Sequence, residues 1–228
     1  MHIPPDSHEQ TLHAHDVAKV DGIEESTPRE IGIWPAIGWS VLLLVTLVLV
    51  HTIVVIPFFI VRMAGRSPAD LEQVAEELTY DGTVVAVATC CTTVACVALV
   101  CLIVWIHGWP IRGYLRLRWP KGMGSIAVSV GVVLAFVVCS DLLTFAMGRE
   151  VVPEYMVRVY ESSWLPLLAF ALVVGAPVGE EVIFRSFMVR SFSNAMGPVV
   201  AICVSSALWA IIHMQYDAYG IATVFAGG

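Results

Sequence analysis

This sequence is short of charge. Only 14% of its 228 residues are Asp, Glu, Lys or Arg, while 58% are hydrophobic; a soluble domain is about a quarter charged and roughly half apolar. A water-soluble chain of this size could not hide so much apolar surface in one core, so lipid must be the main solvent. Basic residues are scarcer still, 12 against 19 acidic, for a net charge of −7. Residues 1–30 alone hold seven acidic and two basic side chains, which argues against nucleic acid as a partner. The six cysteines (Cys90, Cys91, Cys96, Cys101, Cys139 and Cys203) fall within apolar runs and form no C-x-x-C pair. They read as small polarisable packing residues.

What charge there is stands apart from the apolar runs. Trp34–Val61, Gly82–Ile106, Ser162–Gly179 and Ser191–Tyr216 contain none, and Ser125–Gly148 contains only Asp141. A spanning helix needs about 20 mostly apolar residues, at about 1.5 Å each against a core of about 30 Å. The pattern predicts an all-α fold, a polytopic transmembrane helical bundle of five spans. Ala218–Gly228 is apolar but too short to span, so it is expected to be a sixth helix cut short. Three regions follow: an acidic tail (1–30) expected to be disordered, two N-terminal transmembrane helices with a basic loop (31–124), and a helical core (125–228). No internal repeat or low-complexity region is visible.

Loop charges predict the topology. Residues 107–124 carry Arg112, Arg116, Arg118 and Lys121 and no acid, which by the positive-inside bias places that loop in the cytoplasm. A lipid-head-group or substrate-docking surface is the alternative reading of the same loop. Alternation then puts the N-terminal tail inside and the 62–81 and 149–161 loops outside. Arg185 and Arg190 near the end of the fourth span agree. The acidic start lacks the basic and early apolar regions of a cleaved signal peptide, so the first span is expected to act as an uncleaved insertion signal. His8, His13 and His15 lie in that tail, where a solvated segment explains them more simply than a metal site. Within 62–81, Ser67-Pro68 is placed to start a short helix.

Ionisable groups inside a span are costly and are candidates for function. They are His51, Asp141, Glu180, Glu181, Arg185 and His213. Three fall within Gly175-Ala-Pro-Val-Gly-Glu180-Glu181-Val-Ile-Phe-Arg185. Pro177 removes a backbone donor and favours a kink, and Gly175 and Gly179 allow close approach of another chain. Glu181 and Arg185 are four apart, acid first, the favourable order for an ion pair on one helix face, and are assigned to structural support. Glu180 has no cation at helical spacing. A carboxylate left without a counter-charge in low-dielectric surroundings is a better proton acceptor than one in water, which suits a general base. His213 follows the expected turn at Ser193–Gly197 by about the distance at which Glu180 precedes it. The two should therefore sit at similar depth on antiparallel helices. Trp209, one turn before His213, could wall the pocket. His51 and Asp141 each stand alone in a span, where inter-helix hydrogen bonding or a cavity lining explains them.

These residues resemble the CPBP family of intramembrane proteases, which includes the CAAX prenyl endopeptidases and bacteriocin-processing enzymes and was formerly called Abi. Glu180-Glu181-x-x-x-Arg185 matches the family's E-E-x-x-x-R motif, and Trp209-x-x-x-His213 its F-x-x-x-H motif with Trp in place of Phe. The resemblance covers about residues 125–228. It implies a conical cavity open to one side of the membrane, an endopeptidase activity on a protein or peptide substrate, and a water activated by Glu180 and His213. The family's third motif, a His followed four residues on by Asn or Asp, would come after Gly228; Phe225 and Gly228 look like its opening residues. Glu180 and His213 are also the candidate ligands for Zn2+, a question left open because a catalytic zinc usually takes three protein ligands. Two other readings compete: a proton-coupled transporter using Glu180, Glu181 and His213 as a relay, and a non-catalytic scaffold or immunity-type relative.

Overall fold

The computed structural model describes residues 31–116 and 122–228. The acidic tail with its three histidines, together with Arg118 and Lys121, lies outside the described residues. Among the described residues every element is helical. Valine and isoleucine crowd these segments and would favour strands in water. In hydrocarbon each backbone N–H and C=O must be satisfied within its own segment, so the helix prevails.

Four helices are long and apolar enough to cross a membrane: α1 (Ile33–Met63), α3 (Gly82–Ile106), α5 (Met123–Ala146) and α7 (Leu165–Met196). Short helices join or follow them: α2 (Leu71–Thr79), α4 (Ile111–Tyr114), α6 (Glu154–Glu161), α8 (Pro198–Ile211) and α9 (Ala218–Gly227). The chain is thus an integral membrane protein of helical-bundle architecture. The fifth span expected over Ser191–Tyr216 is shorter than anticipated. Met196 still belongs to α7, Gly197 (φ 80°) turns the chain, and α8 has only 14 residues, about 21 Å.

Helix starts follow capping chemistry. Ser67 and Asp70 form a capping box over Pro68–Asp70, the short helix expected from Ser67-Pro68. Asp81 accepts from the amides of Thr83 and Val84 to start α3, and Asp217 accepts from the amide of Gly220 to start α9. Free N–H groups at a helix start need such acceptors.

The core lies between α1, α3 and α7, where Leu43, Val100, Val104, Phe184 and Phe187 are buried together. At the end holding Trp39 and Met196, which we call the first face, Trp39, His107, Trp109, Tyr114 and Phe187 form a ladder of ring contacts. Arg190 caps it over the Tyr114 ring at 4.4 Å. At the opposite, second face, the charges of 62–81 are absorbed by ion pairs: Arg62–Asp81, Arg66–Glu77, and Arg158 of α6 with Glu76. α6 docks on α3 at Gly82, where an added Cβ would lie 2.0 Å from the Val159 carbonyl. Only glycine fits there. α5 stands apart, with almost every residue exposed; it meets α9 through Thr144 and Tyr219 (2.9 Å). Its valine-rich surface is stable only because lipid covers it.

Candidate active site

α7 carries the sequence Gly-Ala-Pro-Val-Gly-Glu-Glu, and its hydrogen-bond ladder is irregular there. Five-residue (π) turns occupy Ala171–Gly175 and Glu181–Met188, either side of one α-turn holding Pro177 and Glu180. The chain does not break at Pro177. Widened turns absorb the missing donor, and such bulges often mark functional positions in helices. Two side chains from neighbouring helices meet the carbonyls this leaves under-used. Thr93 of α3 donates to the carbonyl of Gly175 (3.2 Å), and Ser205 of α8 to that of Phe184 (2.9 Å).

Gly179 explains how α3 reaches α7. A Cβ there would sit 3.1 Å from Thr93 Oγ1, a distance few neighbours tolerate. At Gly175 the approach is looser, with Cys90 Sγ 3.8 Å from the same virtual atom.

Glu180 and His213 are neighbours. Glu180 Oε1 lies 3.9 Å from His213 Nε2, with side chains one-third and one-fifth exposed. Glu180 stands on α7 and His213 in the turn two residues past the end of α8, at similar depth. The other imidazole nitrogen, Nδ1, is 2.8 Å from the carbonyl of Trp209. A carbonyl can only accept, so Nδ1 carries a proton there and Nε2 is the nitrogen turned toward Glu180, with a lone pair to offer in the neutral ring. The ring is held between Trp209, edge-on at 5.2 Å, and Tyr216, stacked at 6.2 Å.

Glu181 and Arg185 pair at 3.7 Å on another face of α7, both more than half exposed. Arg185 also donates to the carbonyl of Gly227, tying α7 to α9. Asp141 is exposed on α5 and has no place near this centre. His51 does: it lines, with Glu180 and His213, a cavity of about 800 Å³ between α1, α3 and α7. A second, smaller pocket of about 170 Å³ reaches Glu180 from the other side, past Arg185, Ser206 and Trp209.

Among the described residues no group of three or more His, Cys, Asp or Glu gathers into a metal site. Glu180 and His213 are two donors, one short of the three protein ligands of an ordinary catalytic zinc. The described donor set therefore does not by itself fit that ion.

Sequence reasoning did not single out Thr93 or Ser205. Each is a small hydroxyl residue within an apolar run, and only the position of a neighbouring helix's free carbonyl gives it a task.

Residues 162–228, which hold every one of the paired and facing groups of α7 and α8, match the family model described as Type II CAAX prenyl endopeptidase Rce1-like. The match agrees with the resemblance to CPBP proteases read from the two motifs. No curated protein and no solved structure matches the chain.

Proposed function

We propose that this chain is the membrane core of an endopeptidase of the CAAX protease type, which hydrolyses a peptide bond with a water activated by Glu180. The observation that carries the reading is the facing pair. A separation of 3.9 Å between Glu180 Oε1 and His213 Nε2 is too long for a direct hydrogen bond and well suited to a shared water. A water at about 2.8 Å from each atom sits at the apex of a triangle with an angle of roughly 90°. With the His213 ring neutral both atoms are acceptors, so the water gives one hydrogen to each and turns its oxygen lone pair outward.

The chemistry then follows from the donors present. Glu180 removes a proton as the water oxygen attacks the scissile carbonyl carbon, and His213 fixes the oxygen's position through its second hydrogen. The tetrahedral intermediate breaks at its C–N bond, and the proton held by Glu180 passes to the departing nitrogen. Acid and amine leave, and Glu180 returns to its starting state. General base help of this kind is worth about 10²–10⁴-fold.

The cavity between α1, α3 and α7 provides the approach for a lipid-resident substrate. Glu181 and Arg185 hold α7 and α9 in register. The basic residues Arg112, Arg116 and Arg190 around the first face support a cytoplasmic orientation for that face by the positive-inside bias.

The test is Glu180→Gln in the full-length protein, assayed in lipid on a fluorogenic peptide that ends in an S-prenylated cysteine and three further residues. Cleavage should fall at least about 100-fold while thermal stability holds. Undiminished cleavage would remove Glu180 from the mechanism, and a wild-type protein that leaves the peptide intact would favour the scaffold reading.

A further inference from the structure

Five threonines in these helices bond back to the carbonyl one turn earlier: Thr46, Thr52, Thr79, Thr144 and Thr223. Thr92 does not. It is only 8% exposed, and its Oγ1 is buried with no hydrogen-bond partner. A buried hydroxyl without a partner is unfavourable and calls for an explanation. Thr92 also lines the large cavity that reaches Glu180 and His213. A threonine's hydroxyl and methyl occupy adjacent staggered wells, so one step of about 120° in χ1 carries the hydroxyl into the methyl's well and the methyl into the third. No existing hydrogen bond resists that turn here.

Helix register fixes where Thr92 stands. Thr93 rests on Gly179, and α3 runs parallel to α7, with Thr83 against Trp164 and Cys90 against Gly175. Thr92 is therefore level with Val178, about 3 Å short of Glu180 toward the second face. Across the cavity, α1 runs antiparallel to α3, and Cys96 Sγ meets the carbonyl of Leu43. Counting back from that contact sets Thr92 beside Leu47. His51 is one turn further toward the second face, about 5.4 Å along the axis. Both line the cavity, as do Thr89 and Thr93. These polar groups lie along the cavity wall that leads to the Glu180–His213 pair.

A peptide drawn into this cavity leaves water and brings an N–H and a C=O with each residue, all of which need partners. In an extended chain, residues i and i+2 turn these groups to the same side, about 6.6 Å apart. The step along the axis between His51 and Thr92 is of the same order. We infer that Thr92 and His51 form a subsite for the extended backbone of the peptide substrate, presenting its scissile bond to Glu180. The subsite rests on the endopeptidase reading for its ligand but not for its test. Thr92 gives and accepts a hydrogen bond through one oxygen, and the His51 imidazole does so through its two nitrogens, so each suits one N–H/C=O edge. They are positioning groups and take no part in the proton transfers.

Binding and cleavage are measured separately. A dansylated peptide ending in an S-farnesylated cysteine and three further residues is titrated into full-length Glu180→Gln protein in nanodiscs. Adding Thr92→Val, which keeps the shape and deletes the hydroxyl, should raise Kd roughly three- to ten-fold, and Thr92→Ser should restore it. His51→Leu should weaken binding by a similar factor. The unfolding midpoint of Thr92→Val should not drop, because the lost hydroxyl has no partner in the free protein. Equal Kd values for Thr92→Val and Thr92→Ser overturn the subsite, as does the absence of peptide binding or a weakening that tracks a fall in the midpoint. If the wild-type protein leaves the same peptide intact while binding still depends on Thr92, the subsite stands and the hydrolytic reading fails.

Discussion

Gly179→Ala probes the contact that places Glu180. The new methyl carbon would sit 3.1 Å from Thr93 Oγ1 and 3.3 Å from its Cγ2, inside ordinary van der Waals contact. Thr93 cannot simply turn away, because its hydroxyl bonds the Gly175 carbonyl within the widened part of α7. Either that bond is given up, at about 1 kcal/mol, or α7 moves off α3 by a few tenths of an ångström. Overpacking of this order costs about 1–3 kcal/mol; one bond and a small shift put the expected loss near 1–2 kcal/mol. Glu180 is the next residue, so the same shift spoils its 3.9 Å approach to His213, and cleavage should fall more than stability does. Thermal unfolding in detergent and peptide cleavage read the two effects. The control is the same substitution in a Thr93→Ala background, which removes both crowding atoms and should leave Gly179→Ala costing under about 0.5 kcal/mol. An equal cost in both backgrounds would refute the contact argument.

Two further outcomes are expected. Ser205→Ala leaves the Phe184 carbonyl without its donor from α8; stability should fall by about 1–2 kcal/mol, and cleavage with it, in the unfolding and peptide assays above. Asp217, at the start of α9, is held below the ordinary carboxylate range first by the Gly220 amide and then by Arg149. A depressed folded-state pKa gives stability that is present above the unfolded value and is lost as pH falls through the folded one. The unfolding midpoint of the wild-type protein should therefore decline below about pH 4 more steeply than that of Asp217→Asn, measured by thermal scans across pH.

Much of the bundle was legible because lipid imposes a simple rule. A run such as Gly82–Ile106, with no charge in 25 residues, has one outcome in hydrocarbon. The proximity of Glu180 and His213 was legible for a related reason: near-equal counts from the turn at Gly197 give similar depth on two antiparallel arms, despite the π-turns of α7 and the end of α8 at Ile211. The shortened α8 was harder to read. Its apolar run continues to Tyr216 without a breaker, and the helix stops at Ile211 as the chain turns toward α6 and α9, where Tyr216 meets Met156 and Asp217 meets Arg149. The π-turns were hidden as well. Pro177 announced a disturbance, but what sustains it comes from Thr93 and Ser205 on other helices. A lone hydroxyl in an apolar run carries no local sign of its target. His51 likewise stands alone in α1, and only the packing of α1 on α3 and α7 turns it toward the same cavity as Glu180.

The claim that Glu180 and His213 share one water is tested most directly by a double-mutant cycle on cleavage in the full-length protein. If both atoms hold the same molecule, Glu180→Gln and His213→Ala each remove most of the rate, and the double variant is no worse than the slower single. Losses that multiply would mean the two side chains act on separate steps, and the shared-water mechanism would be wrong.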